Sequence, residues 1–97
     1  MKVYTGRTDI DLYENLFQTP NQAVTHLVLA AGQTVPVHHA DYSVVVVPIK
    51  GHVNFSDETT TEEIYPGKIV QMRPNEDHAL AAIDDCELMV IKSTLAE

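Results

Sequence analysis

Short runs rich in valine and isoleucine, cut at close intervals by turn-forming residues, are the feature that most limits what this chain can become. The runs are Val24 to Ala31, Val44 to Ile49, His52 to Ser56, Glu63 to Tyr65, Ile69 to Met72, Ala79 to Ile83 and Leu88 to Lys92. Between them stand Ala31-Gly32-Gln33, Lys50-Gly51, Ser56-Asp57-Glu58-Thr59, Tyr65-Pro66-Gly67, Arg73-Pro74-Asn75-Glu76-Asp77 and Asp84-Asp85-Cys86, which bring the Gly, Pro, Asn and Asp that tight backbone geometry requires. Runs of this kind fit a pleated, half-buried surface and predict an all-β chain closed into a small barrel or sandwich. Asp9 to Gln18 reads two ways, as one helical turn capped by Asp9 or Asp11, or as a further strand.

Length sets the scale of the barrel. A chain of 97 residues is expected to form one domain over 1–97, and its 44% hydrophobic content is enough for a core without suggesting disorder. The net charge of −8, from 14 acidic and six basic residues, repels a phosphate backbone and argues against a nucleic-acid partner. The single cysteine, Cys86, sits among Asp84, Asp85 and Glu87, where negative charge disfavours a thiolate, so it reads as a small strand residue. The start Met1-Lys2-Val3-Tyr4-Thr5-Gly6 lacks the apolar stretch of a signal peptide, and no run is long enough to span a bilayer. A cytoplasmic protein with no membrane partner is the expectation.

Alternation assigns faces. Val53 and Phe55 share one side of their strand, while His52, Asn54 and Ser56 take the other, so His52 is expected to point outward. His26 lies between apolar residues on both phases of its strand, and its face stays open. Val44-Val45-Val46-Val47 has no polar face at all, which requires cover on both sides. One side is the barrel interior; the other calls for loops, the N-terminal segment or a second subunit, and a homodimer is expected on this ground.

The order Gly32, His38, Gly51, followed by Gly67, Pro74 and His78, resembles the two motifs of the cupin superfamily, at about 32–51 and 67–82. The first cupin motif carries Gly, His-x-His, Glu and Gly; the second carries Gly, an apolar strand, and Pro and His. The likeness implies a small cupin-type antiparallel β-barrel, the double-stranded β-helix or jelly roll. Metal-binding cupins use two histidines and a glutamate from the first motif and one histidine from the second. Here Ala40 and Val44 stand at two of those four positions, and only His38 and His78 remain. The chain is similar to single-domain bacterial cupins whose motifs read here as His38-His39-Ala40-Asp41-Tyr42 and Asp77-His78-Ala79-Leu80.

Three functions follow from these residues. In the leading one, His38, Tyr42 and His78 line a pocket for a small polar molecule, the metal site being depleted. In the second, His38, His39 and His78 hold one divalent transition metal, Zn, Mn, Ni or Fe, for an isomerase or oxygenase type of reaction; three nitrogens and a water suffice for such an ion. Strand alternation opposes it, because His39 faces away from His38 unless a bulge at Pro36-Val37 turns both inward. The third is a dimeric scaffold without chemistry. Catalytic residues are not assigned, and Met72 and Met89 read as core fillers.

Overall fold

The computed structural model describes residues 1–94, and strands account for all of its regular structure. Nine strands follow one another: β1 (Leu12–Gln18), β2 (Gln22–Leu29), β3 (Thr34–His38), β4 (Ser43–Lys50), β5 (Val53–Ser56), β6 (Thr61–Ile64), β7 (Val70–Met72), β8 (His78–Ala82) and β9 (Cys86–Ser93). They form two antiparallel sheets, ordered β1-β2-β9-β4-β7 and β3-β8-β5-β6. Among the described residues no helix is long and apolar enough to cross a membrane.

The sheets face each other across a core of Leu29, Val44, Val46, Val53, Phe55, Ile64, Leu80 and Leu88. Period-two alternation feeds it: Val44 and Val46 of β4 are buried against the opposite sheet, whereas Val45 and Val47 are half-buried on the outer face. Val53 and Phe55 are likewise inside, with His52 exposed beyond them.

Two strands settle what the sequence left open or did not assign. Of Asp9 to Gln18, Leu12–Gln18 is a strand that pairs with β2 along its length, with a register shift between Asn15 and Phe17. Thr34–His38, with Pro36 at its centre, also forms a strand. Proline is tolerated there because β3 is an edge strand whose pairing with β8 shifts between Val35 and His38.

The turns between sheets carry the motif glycines. Gly51, at φ 73°, passes the chain from β4 into β5, against the backbone of Asp85 and the side chain of Asp84. Asp84 closes this corner by accepting hydrogen bonds from the His52 backbone N–H and from its ring Nδ1.

Candidate functional site

β3 ends at His38 and β8 begins at His78, and these two residues are direct partners in the register. Their rings meet edge to face with centroids 4.1 Å apart. Each ring is fixed in the same way: Nδ1 of His38 donates to the carbonyl of Pro36 at 2.8 Å, and Nδ1 of His78 to that of Glu76 at 3.1 Å. A carbonyl only accepts, so in the neutral rings Nδ1 holds the hydrogen and Nε2 holds a lone pair. Neither Nε2 has a partner among the described residues, and since no buried side-chain polar atom there is left without one, the Nε2 of His78 is not sealed off. Phe55 stacks on His78 at 5.6 Å, nearly parallel, and sets the plane of that ring.

His78 is buried and His38 is exposed at the rim. Burial lowers the basicity of His78, and the neighbouring His38 adds to the effect, against a smaller opposing pull from its hydrogen bond to Glu76. A neutral ring is therefore favoured at the inner position.

Both rings line a cavity of ≈ 190 Å³ between the sheets, walled by Leu27, Val35, Val44, Val46, Leu80 and Val90. That volume falls below the roughly 300–1,000 Å³ common for drug-sized ligands and sets a small-molecule scale. Polar groups on its wall are few. Thr25 is already engaged, its hydroxyl donating to Asn15 Oδ1 at 2.8 Å. Tyr13 and Lys92 complete the lining, and the sequence reading missed both. The signal for Lys92 was present in β9: Cys86, Leu88, Val90 and Lys92 share one phase, so the lysine follows three apolar residues toward the interior. Tyr13 lay in the stretch whose strand character was open. At the rim Leu12 has φ 74°, with an N–H of Tyr13 bonded to the carbonyl of Asp11, a tight γ-turn that begins β1.

The expected site residues divide. His38 and His78 come together; Tyr42 and His39 do not join them. Tyr42 lines a neighbouring recess of ≈ 250 Å³ together with Asn15, Lys92, Ser93 and Thr94. It shares the inward phase of Val44 but stands two residues earlier, a step of about 6–7 Å that carries it past the histidines. His39 follows the end of β3 and turns outward, where its Nδ1 lies 3.3 Å from Asp77 Oδ1 on the surface. The irregularity expected at Pro36-Val37 is present, as the register shift between Val35 and His38, but it turns only His38 to the cavity; β3 ends there and His39, next in the alternation, faces out.

These placements decide the fit of a metal. Among the described residues no three His, Cys, Asp or Glu side chains gather closely enough to hold an ion. Ala40 packs against the core and Val44 lines the cavity, so the two substituted ligand positions present methyl groups. Lys92 adds a cation to the same wall. Two imidazoles, in a wall that also carries a lysine and no third ligand, do not fit a divalent ion.

The remaining histidines lie elsewhere. His26 is buried on the outer side of β2, with Nδ1 2.9 Å from Glu14 Oε2 and Nε2 2.8 Å from Glu87 Oε1. The thiol of Cys86 is pushed up to about 11, chiefly by burial and further by Asp84, Asp85 and Glu87, in keeping with an inert strand residue.

Comparison with known proteins shows the fold. An RmlC-like cupin with a double-stranded β-helix from Methanocaldococcus jannaschii superposes with TM-score 0.85 at 26% identity, over 97% of this chain and 91% of that one. An RmlC-like cupin from Desulfovibrio desulfuricans gives TM-score 0.82 at 20% identity, over 96% of each chain. A conserved protein of unknown function from Streptococcus pyogenes gives 0.80 at 20%, over 94% of this chain and 80% of that one. No family model and no curated protein matches the sequence.

Proposed function

Because the chain is a small cupin-fold protein that keeps two inward histidines and has lost the rest of a metal shell, we propose that it binds a small polar molecule between His38 and His78. The observation that carries this reading is the shared tautomer. Two rings in the lining of one cavity, each locked through Nδ1 to a backbone carbonyl, keep two Nε2 lone pairs free of protein partners, an acceptor pair for a ligand hydroxyl or N–H. The apolar walls hold the carbon frame, and a few placed polar atoms fix its orientation, as in small-molecule sites generally. The lone, buried Cys86 is compatible with a reducing compartment, and the cytoplasm is the proposed location.

A ligand-observed NMR screen of small hydroxylated and amide compounds tests the reading. Hits are expected to bind wild type, to be lost in both His38→Ala and His78→Ala, and to persist in His39→Ala. Binding that survives both inner-histidine variants, or a screen without hits, would overturn it.

A further inference from the structure

We infer that the occupant of this cavity is a small hydroxycarboxylic acid whose carboxylate is held by Lys92, a conclusion that rests on reading the His38–His78 cavity as a ligand pocket. Lys92 is the only one of the six basic residues that is not exposed. It sits on the central strand of its sheet, with Ala23 and Val44 as its cross-strand neighbours, and its side chain lines the cavity. Arg7 is paired with Asp9, and Lys68 lies over the ring of Tyr65. Lys92 has no carboxylate within salt-bridge distance among the described residues, in a chain that carries 14 acids. Withdrawing an ammonium partly from water is costly unless a counter-charge replaces the lost hydration. An acid on a neighbouring strand would be the ordinary remedy in so acidic a protein, yet neither the cavity nor the adjoining recess that Lys92 borders has an acidic residue in its lining. A ligand anion supplies the missing partner.

The histidines then sort the two ends of that ligand. An Nε2 lone pair repels a carboxylate oxygen and accepts from a hydroxyl, so the anion belongs at Lys92 and the hydroxyl at the imidazoles. Val44, Val46, Leu80 and Val90 enclose the carbons between, and ≈ 190 Å³ keeps the molecule small. Lys92 also borders the polar recess that contains Tyr42 and Ser93, which leaves the carboxylate a hydrated side.

Chemical-shift titration with β-hydroxybutyrate, butyrate and β-hydroxybutyramide tests the assignment on wild type, Lys92→Met, Lys92→Arg and His78→Ala. Wild type is expected to prefer the hydroxy acid over its amide by about tenfold, the scale of one charge-assisted hydrogen bond. Lys92→Met should erase that preference while still binding the amide, and Lys92→Arg should keep it. His78→Ala should bring the hydroxy acid down to the level of butyrate without removing the preference for an anion. Equal affinity for acid and amide in wild type overturns the carboxylate assignment and leaves the histidine pocket standing. An acid preference that persists in Lys92→Met overturns the role of Lys92. Failure of all three probes overturns the hydroxy-acid class, and the histidine pocket falls with it only if the broader screen also yields no histidine-dependent ligand.

Discussion

Side chains of one type perform opposite tasks here according to their neighbours. His78 is held below the ordinary imidazole range chiefly by burial, whereas His52, exposed, is raised by its hydrogen bond to Asp84. The signs of their pH effects differ accordingly. For His78 the folded chain binds the proton less readily than the unfolded chain, so its contribution is complete above the unfolded value and is lost as pH falls through the lowered folded value. For His52 the contribution is complete below the unfolded value and is lost as pH rises through the raised one. Denaturant melts across the range around pH 6.5 are therefore expected to change slope in opposite directions in His78→Phe and His52→Asn; slopes that move together would refute the assignment. His39 lies on the surface beside Asp77. As a surface residue its change to alanine is expected to alter stability by no more than about 0.5 kcal/mol. Micromolar Zn²⁺ is expected to leave the melting temperature nearly unchanged, because two imidazoles beside Lys92 make an incomplete site. A rise above about 4 °C, roughly 1 kcal/mol for a domain of this size, that disappears in His39→Ala would restore a three-nitrogen site.

Among the elements, the turns are where single residues are least replaceable. Gly51 and Gly32 both hold a positive φ, at 73° and 83°, but they differ in surroundings. A Cβ at Gly32 meets nothing within 4 Å, while one at Gly51 runs into the Asp85 carbonyl, the Asp84 carboxylate and Cys86. Gly32→Ala is thus expected to cost about 1 kcal/mol for the left-handed backbone alone, and Gly51→Ala more than twice that, read from denaturant midpoints. The N-terminal segment is tied down in a comparable way. Tyr4 stacks on Phe17 at 5.2 Å, the Arg7 N–H donates to Glu14 at 2.7 Å, and a Cβ on Gly6 would stand 2.6 Å from His26 Nδ1. Gly6→Val should lift the segment and speed hydrogen exchange around Glu14, His26 and Glu87. Unchanged exchange would show that the segment is not held by this contact. The strands with clear alternation, such as Val53 to Ser56, were legible in the sequence because burial on one face imposes period two. β1 and β3 were not. β1 joins through a bulge that breaks its period, and β3 has a proline at its centre that only an edge position permits.

For the molecule as a whole, the meeting of His38 with His78 was legible only through the motif resemblance, and the register between β3 and β8 is what realises it. The rest of the cavity depends on which of many inward side chains reach one end of the barrel, and linear spacing does not carry that. His39 and Tyr42 were drawn in by proximity along the chain, whereas Lys92 and Tyr13 come from strands far from the motifs. The outer face of the larger sheet poses the last question of scale. Phe17, Val24, Ile91 and Val45 lie side by side across four strands, with Met89 and Val47 beside them. The N-terminal segment covers the Phe17 and His26 end of this face, while Val45 and Val47 are half-buried and Ile49 is exposed at the other. A second copy of the chain on the β4 side would complete the cover, given that a stable interface buries about 800 Å² per partner. Light scattering is expected to give twice the chain mass at high micromolar concentration. The double variant Val45→Lys, Val47→Lys should fall to a single chain with its strand spectrum intact, since both side chains point away from the core that Val44 and Val46 fill. A monomeric wild type would assign the cover of this face to the N-terminal segment alone, and Val45→Lys, Val47→Lys would then leave the scattering mass unchanged.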